Sequence, residues 1–261
     1  MQKRHTDRKK YFNEQIITSE KYVIPFLVKH LKVDSNFSVL EIGCGEGGNL
    51  KPFLDLGCNV TGVDLSIGKI ENGKKFFETH PQSSNIKLYA EDIYNSQNLT
   101  QYDLIIMRDV IEHIHNQNRF MGYVKKYLNP NGKFFLAFPP WYNPFGGHQQ
   151  ICESKILSLL PYFHILPRPI YKGVLRLFGE SNAKIENLLE VKDTGITLER
   201  FEKISKKNGF KIDEKVNYLI NPNYEIKFGL KPRKGIPVLS SIPFFKNFII
   251  TTAYYLLSLD D

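Results

Sequence analysis

The stretch that decides the fold is SVLEIGCGEGG, residues 38–48. A short apolar run at 38–42, typical of a buried strand, leads directly into a glycine-rich turn. Gly43, Gly45 and Gly48 satisfy the pattern G-x-G-x-x-G, which joins a strand to a helix in nucleotide-binding βαβ units. Glycine permits the tight turn and lets a ligand lie against backbone amides at a helix N-terminus. The stretch therefore predicts a nucleotide-binding turn and leaves the nucleotide open.

Outward from this turn, short apolar runs alternate with longer segments of helical spacing. The alternation indicates repeated βα units around a mostly parallel sheet. The predicted strands are 38–42, 59–64, 86–92, 102–107 and 133–138, and the predicted helices are 16–31, 48–56, 67–79, 110–128 and 198–210. Extended runs at 215–222 and 248–259 would complete the sheet. We therefore predict an α/β, Rossmann-like, doubly wound fold with a mostly parallel seven-stranded sheet.

Changes in pattern divide the chain into four predicted segments. Beyond the fifth strand, the turn-rich PPWYNPFGGHQQ and an irregular apolar stretch replace the βα alternation, which predicts a helical insertion over the carboxyl edge of the sheet. The segments are a helical lead-in (1–35), the Rossmann-like cofactor-binding core (36–139), the insertion or lid for the substrate (140–197), and a last helix with terminal strands (198–261).

The composition is that of a globular protein in a reducing compartment. Among the 261 residues, 42% are hydrophobic and 24% are charged, which excludes disordered and collagen-like classes. Cys44, Cys58 and Cys152 are scattered, so neither a disulfide framework nor a zinc site is predicted. Because the N-terminal residues lack an apolar signal core and no apolar run reaches 18 residues, we expect a cytoplasmic protein.

The formal net charge of +8 raises the question of an anionic partner. The basic clusters at 3–10 and 231–234 lack the interleaved aromatic side chains of a nucleic-acid platform. We therefore expect solvated faces and no nucleic-acid partner, with another acidic partner as the alternative.

Acidic side chains at the ends of three predicted strands distinguish between cofactors. Glu41 precedes the glycine turn, Asp64 ends the second strand and Asp92 ends the third. Asp64 lies 19 residues after Gly45, where an acid can accept the protons of both ribose hydroxyls. Three converging carboxylates would repel a pyrophosphate and favour a cationic nucleoside without phosphate. S-adenosylmethionine meets these demands.

Four motifs in order, VLEIGCGEGG, VTGVDLS, AEDI and YDLIIMRDVIEHI, resemble those of class I S-adenosylmethionine-dependent methyltransferases over about residues 36–140. The resemblance implies that Asp64 binds the ribose, with Leu65 against the adenine. It also implies that Asp92 accepts from the adenine amine, that Ile93 forms an apolar wall and that Arg108 contacts the cofactor. The full implied set is Glu41, Gly43, Cys44, Gly45, Asp64, Leu65, Asp92, Ile93 and Arg108.

His113 and His148 are the predicted catalytic residues, because a near-neutral imidazole can accept the proton of a methyl acceptor. For His113 the alternative is a packing role on the helix after the fourth strand. Asp109, Glu112 and His113 also resemble the pattern with which ubiquinone-pathway O-methyltransferases hold a divalent cation, although we expect no metal here.

Around His148, we expect Gly146 and Gly147 to make a flexible approach. The aromatic residues Trp141, Tyr142 and Phe145 would wall an aromatic or apolar acceptor or, alternatively, pack in the core. At the N-terminus, Arg8 and its aromatic neighbours would cover the cofactor or simply start a helix.

Apolar runs at 156–178, 235–245 and 247–259 suggest an amphiphilic acceptor and peripheral membrane contact, with an ordinary terminal strand as the alternative for the last.

The predicted function is methyl transfer to a small-molecule acceptor. An NAD-dependent oxidoreductase or epimerase is a second interpretation, but the chain lacks a second mononucleotide half, and Glu41 stands where an apolar strand residue is expected. A third is a cofactor-binding module without turnover. The sequence leaves open the acceptor atom and the oligomeric state.

Overall fold

The computed structural model describes residues 7–260, apart from the side chain of Ser241. The first six residues of the predicted lead-in, with part of the basic cluster 3–10, lie outside the described residues, as does Asp261.

The described chain forms one eight-stranded sheet with the order β3-β2-β1-β4-β5-β8-β6-β7. β1 to β5 are parallel, and β8, β6 and β7 continue the sheet in antiparallel pairings. The strands are β1 Ser38–Ile42, β2 Asn59–Asp64, β3 Ile86–Ala90, β4 Tyr102–Arg108, β5 Leu128–Phe138, β6 Phe210–Ile220, β7 Arg233–Lys234 and β8 Thr252–Leu259. This architecture confirms the predicted Rossmann-like α/β fold with a mostly parallel sheet.

The predicted number of seven strands is wrong by one. The chain turns back at Gly229, whose φ is +71°, and Arg233 and Lys234 pair with the edge of β6. A two-residue basic strand has no alternation of apolar and polar residues, so no periodic signal marks it.

Helices cover the two faces of the sheet. They are α1 Arg8–Thr18, α2 Ile24–Leu27, α3 Lys51–Asp55, α4 Ile67–Phe77, α5 Gln117–Val124, α6 Lys155–Leu159, α7 Arg168–Leu177, α8 Asn182–Thr194, α9 Leu198–Lys207, α10 Asn223–Phe228, α11 Pro237–Ser241 and α12 Lys246–Ile249. Neighbouring residues of β8 serve opposite cores: Tyr254 packs with Phe26 on one face, and Tyr255 packs with Phe201 on the other. Among residues 7–260, no helix combines the length and apolar character needed to cross a membrane.

The first helix begins earlier than predicted. Asp7 caps α1 by accepting from the Lys10 amide at 2.9 Å, so the helix starts at Arg8 rather than at residue 16. A π-helical turn, Ser19–Val23, connects it to α2. Pro25 lies in the first turn of α2, where a missing amide hydrogen costs little.

The helix predicted at 110–128 begins only at Gln117. Asp109 adopts a φ of +53°, and Ile111–His113 forms a 3₁₀ turn. The Asn116 side chain then caps α5 by accepting from the Arg119 amide at 3.0 Å. His113 therefore lies in a turn at the carboxyl end of β4 and not on a helix.

Three helices between β5 and α9, namely α6, α7 and α8, have an apolar core of their own that includes Leu157, Tyr171 and Leu188. Thr194, the last residue of α8, donates from Oγ1 to the Glu112 carbonyl at 2.5 Å. Its own carbonyl accepts from Gln117 Nε2 at 2.6 Å. These bonds attach the helical segment to the turn at the carboxyl end of β4.

Candidate functional site

The glycine turn folds tightly back onto β2. The amides of Gly43 and Cys44 both donate to the Val63 carbonyl, at 2.8 and 3.0 Å. Gly43 and Gly45 have φ values of +73° and +57°, a region that favours glycine. A Cβ at Gly45 would meet no atom closer than 3.9 Å, whereas one at Gly43 would lie 2.5 Å from the Val110 side chain. The backbone at Gly45 is therefore open to a ligand, and Gly43 is required for packing.

Gly43→Ala is expected to lower the free energy of unfolding by about 2 kcal/mol or more, because it combines a left-handed φ with overlap at Val110. Thermal unfolding measures the change. The matched control is Gly68→Ala in α4, where a Cβ meets nothing within 4 Å. Helix propensity predicts a gain of about 0.5–1 kcal/mol there. Equal stability changes in the two variants would contradict the interpretation.

Asp64 is held at the end of β2 by two backbone amides. Its Oδ2 accepts from Gly45 at 2.9 Å and its Oδ1 from Ser66 at 2.8 Å. Each carboxylate oxygen retains a further lone pair, so the side chain is fixed but still able to accept. The next residue, Leu65, leaves 76% of its surface exposed. An anchored acceptor and an exposed apolar side chain thus lie side by side.

Glu41 is buried at the end of β1, where its Oε1 accepts from Asn49 Nδ2 at 2.6 Å. Its Oε2 has no hydrogen-bond partner within the described chain. Burial raises the pKa of Glu41 to about 8, although Asn49 and Arg108 oppose the shift. Glu41 therefore holds a proton in much of the neutral range and keeps an unused acceptor atom.

Arg108 is buried at the end of β4 and bonds to three helical or turn segments. Its Nη1 donates to Asn49 Oδ1 at 2.5 Å and to Ser19 Oγ at 3.2 Å, and its Nη2 donates to Asn223 Oδ1 at 2.9 Å. Asn49 therefore bridges Glu41 and Arg108, a role that sequence reasoning missed. Only its position just after the glycine turn could have indicated it.

The remaining predicted cofactor residues differ in placement. Asp92 lies exposed just after β3, and its Oδ1 accepts from the Tyr94 amide at 2.9 Å. Ile93 is buried in the apolar core. Cys44 is also buried, with its Sγ 2.7 Å from where a Cβ on Gly62 would lie, so it can offer a ligand only its backbone. The structure thus groups Glu41 with the glycine turn and Asp64, while Asp92 stands at the neighbouring strand end.

The N-terminal helix is fastened over the glycine turn. Arg8 donates to both carboxylate oxygens of Glu46, at 2.6 and 2.5 Å, and Glu46 is fully buried. Phe12 packs against Phe77 in the core, with ring centroids 5.5 Å apart. A cavity of about 20 Å³, lined by residues that include Tyr11, lies beneath this helix and has room for about one water.

A second cluster forms where the turn after β4 meets the loop after β5. The rings of His113 and His148 are 5.0 Å apart in an edge-on arrangement. His148 Nε2 lies 4.0 Å from Glu112 Oε1, and donor atoms of all three residues lie within 4.8 Å of one another. Glu112 is buried, and neither carboxylate oxygen has a hydrogen-bond partner within the described chain. The structure therefore brings together both predicted catalytic histidines.

Burial controls the protonation of this cluster. It lowers the pKa of His148 to about 3, helped by repulsion from His113 and His164. It also raises the pKa of Glu112, helped by the charge of Asp109. Burial therefore favours the neutral form of both groups, and His148 keeps a free lone pair.

Close packing around Gly146 and Gly147 fixes the path of the loop that carries His148. A Cβ on Gly146 would lie 2.1 Å from the Trp141 carbonyl oxygen, and one on Gly147 would lie 2.2 Å from His164 Cβ. His148 itself adopts a φ of +56°. The two glycines therefore permit a compact loop rather than a flexible approach.

The loop's aromatic residues contact the surrounding helical segments. Trp141 packs edge-on against His164 at 4.7 Å, and Tyr142 stacks on Phe248 at 5.1 Å. These contacts favour the packing role for both side chains.

The strand order and the glycine turn place the protein in the Rossmann-like class, and comparison with known proteins identifies its family. A family model described as a methyltransferase domain matches residues 12–149, more than half of the chain. The chain therefore belongs to the class I S-adenosylmethionine-dependent methyltransferase family.

Curated relatives include the ubiquinone biosynthesis O-methyltransferase of Rickettsia felis, which is 30% identical over 118 residues, or 44% of this chain and 47% of that protein. The corresponding protein of Bartonella tribocorum is 32% identical over 107 residues, or 39% and 41% of the two chains. The chain thus spans less than half the length of these relatives.

Solved structures share the fold at low sequence identity. Geranyl diphosphate C-methyltransferase from Streptomyces coelicolor, in complex with Mg²⁺, geranyl diphosphate and S-adenosyl-L-homocysteine, matches with a TM-score of 0.58 and 11% identity, covering 92% of this chain and 79% of that chain. A putative sarcosine dimethylglycine methyltransferase from Galdieria sulphuraria matches with a TM-score of 0.60 and 12% identity, covering 94% and 86%.

Proposed function

We propose that the protein transfers the methyl group of S-adenosylmethionine to a hydroxyl oxygen of a small, amphiphilic acceptor. The observation that carries this proposal is the grouping of buried Glu41, the bare backbone at Gly45 and the anchored carboxylate of Asp64. The names of the curated relatives, which are O-methyltransferases, support oxygen as the acceptor atom.

The side chains of the candidate cofactor site suit a cationic nucleoside. Glu41 Oε2 is an unpaired acceptor for the ammonium group, and Asp64 has lone pairs for the ribose hydroxyls. Leu65 is exposed where an adenine ring would cover it, and Asp92 stands beyond it to accept from the exocyclic amine. When bound, the cofactor supplies a methyl group already activated by a sulfonium. The protein's task is then to hold and align the acceptor.

The second cluster, formed by Glu112, His113 and His148, would remove the proton of the acceptor hydroxyl. His148 is neutral and can accept a hydroxyl proton at Nε2, with His113 beside it. The positive charge that then develops on the imidazole would be stabilised by the carboxyl group of Glu112, whose Oε1 lies 4.0 Å from His148 Nε2. The α6–α8 segment, attached at the Glu112 carbonyl, would exclude water from this side as a lid.

Binding of a divalent cation is the alternative role for the same cluster. One carboxylate and two imidazoles within 4.8 Å, with both Glu112 oxygens unpartnered, form a donor set that suits a metal as well as a proton relay. Such an ion would polarise the acceptor oxygen and lower its pKa. The sequence predicts no metal, and the sensitivity of methyl transfer to a chelator separates the two possibilities.

Binding of S-adenosylhomocysteine tests the cofactor site. We expect calorimetry above pH 8 to detect binding of this nucleoside and none of NAD, because Glu41 is then ionised and the acids around the turn repel a pyrophosphate. Asp64→Ala should weaken binding by about 1–3 kcal/mol, the value for a lost buried hydrogen-bond partner, and Asp64→Asn by less, because it retains an acceptor.

The control for that experiment is Asp55→Ala, which removes a surface ion pair with Lys51 on α3 and should leave affinity unchanged. Binding of NAD in place of S-adenosylhomocysteine would favour the oxidoreductase. Cofactor binding without methyl transfer to any hydroxylated acceptor would favour the non-catalytic binding module.

A further inference from the structure

An apolar surface extends across the α6–α7 region and the segment before β8. We call it the apolar face and define it by the exposed side chains of Ile156, Leu159, Leu160, Ile170, Phe244 and Phe245. Leu159 is 74% exposed and Phe244 is 66% exposed. Exposed apolar side chains occur singly on most proteins, whereas larger exposed apolar surfaces mark interaction sites.

Direct contacts join the two halves of this face. The Tyr162 hydroxyl donates to the Phe248 carbonyl at 3.0 Å, which ties the insertion to α12. On the insertion half, a largely apolar depression of about 570 Å³ is lined by residues 160–163 and 165–167. These contacts bring the insertion beside α12, which directly follows Phe244 and Phe245 in the chain.

Helix α7 presents apolar side chains both inward and outward. Tyr171 and Leu175 are buried in the insertion core, while Ile170 and Leu177, seven residues apart, share an exposed side of the helix. The core accounts for the first pair only. The second pair is exposed in the described chain and gives α7 an outward apolar side.

The segments that form the face carry more cations than the neighbouring acids pair with. Arg168, Lys172 and Lys246 each pair with an acid on α8 or α9, and further cations remain unpaired. Residues 154–178 and 231–249 contain lysines and arginines but no aspartate or glutamate. Lys155, Arg176, Arg233 and Lys234 are exposed and have no ion-pair partner within residues 7–260. Outside these stretches, cations and acids are interspersed along the chain.

We propose that the apolar face docks onto the surface of an anionic phospholipid bilayer. Apolar side chains flanked by unpaired cations match the acyl boundary and the negative headgroups of such a surface. We favour the bilayer over a protein partner because several cations near the face lack an acidic partner, and the negative headgroups would supply one. The docking itself is independent of the proposed methyl transfer.

Docking has a consequence that does rest on the proposed function. Tyr142 stacks on Phe248 beside the face, and the same short loop carries His148. A membrane-bound acceptor would thus be presented close to the predicted catalytic cluster.

Vesicle flotation of the full chain tests the proposal at low salt, with no cofactor or acceptor present, so its outcome is separate from that of the enzymatic assays. We expect binding to phosphatidylcholine vesicles that contain phosphatidylglycerol and little binding to pure phosphatidylcholine. Leu159→Gln with Phe244→Asn should reduce binding about tenfold or more through lost apolar insertion. Asn suits position 244, where φ is +62°, so this variant should fold.

Charge reversal at Arg233 and Lys234 should reduce binding by at least about fivefold per position, because each cation near an anionic surface contributes about 1 kcal/mol. The matched control is Val28→Gln with Leu56→Gln, two exposed apolar residues elsewhere, and should bind like the unmodified chain.

Three results would overturn the proposal: no binding to the anionic vesicles, equal binding to both kinds of vesicle, or equal loss in the control. A fourth is self-association in light scattering that the Leu159 and Phe244 changes abolish, since the face would then bind a second copy of the chain.

Discussion

His148→Ala is expected to lower turnover by about 10²- to 10⁴-fold, the contribution typical of a positioned general base, while affinity for S-adenosylhomocysteine stays unchanged. The separation follows from the structure, because His148 belongs to the cluster with Glu112 and not to the glycine turn. Single-turnover methyl transfer to a hydroxylated acceptor and calorimetry of the same variant measure the two quantities. Equal losses of turnover and cofactor affinity would indicate a structural role instead.

A matched histidine controls for the substitution itself. His115 lies two residues beyond His113, is exposed and contacts Glu190 at 3.2 Å, so His115→Ala should leave turnover unchanged. A chelator distinguishes proton transfer at His148 from cation binding by the cluster. If the unmodified enzyme loses activity with a chelator and recovers it with Mg²⁺ or Mn²⁺, the cluster holds a cation. Insensitivity to the chelator supports proton transfer at His148.

The sequence predicts β1 and β2 well because these strands are apolar and end in residues with distinct roles. The second strand was predicted at 59–64, and β2 is Asn59–Asp64. β1 likewise matches, since the glycine turn fixes where it ends. In both cases a local pattern and the buried environment favour the same structure, so no tertiary contact was needed to place the strand.

Predictions failed where tertiary contacts decide local structure. The 3₁₀ turn Ile111–His113 replaces a helix start because the Asn116 cap and the bond from Thr194 to the Glu112 carbonyl fix the chain there. Likewise, Gly146 and Gly147 resemble a flexible loop in sequence but are required by contact with Trp141 and His164. Such contacts join residues far apart in the chain and leave no periodic signal.

The acids of the candidate site were recognisable from the sequence, but their electrostatics were not. Their positions at the ends of strands are sequence features. The bridge from Glu41 through Asn49 to Arg108 is not, because it depends on how deeply the three side chains are buried. A buried arginine normally lowers the pKa of a nearby carboxyl group, yet here desolvation is the larger effect, and the pKa of Glu41 rises to about 8.

That raised pKa predicts that the affinity for S-adenosylhomocysteine increases with pH up to about 8 and then levels off. Below this pH the carboxyl group of Glu41 is mainly protonated, and the cofactor's ammonium group favours the carboxylate, so binding must release a proton. Linkage then limits the increase to about tenfold per pH unit. Calorimetry in buffers of different ionisation enthalpy measures the proton release directly.

Two controls assign this pH dependence to Glu41 and the ammonium group. Glu41→Gln keeps an acceptor for Asn49 but cannot ionise, so its affinity should be lower above pH 8 and nearly independent of pH. 5′-Methylthioadenosine lacks the ammonium group, and its binding to the unmodified chain should also be independent of pH. An unchanged pH profile in Glu41→Gln would show that the titrating group lies elsewhere, and the buried carboxyl would then have only a structural role beside Asn49. The sign of the change in affinity with pH therefore tests whether the cofactor binds beside an acid that must first lose its proton, rather than beside a permanently ionised carboxylate.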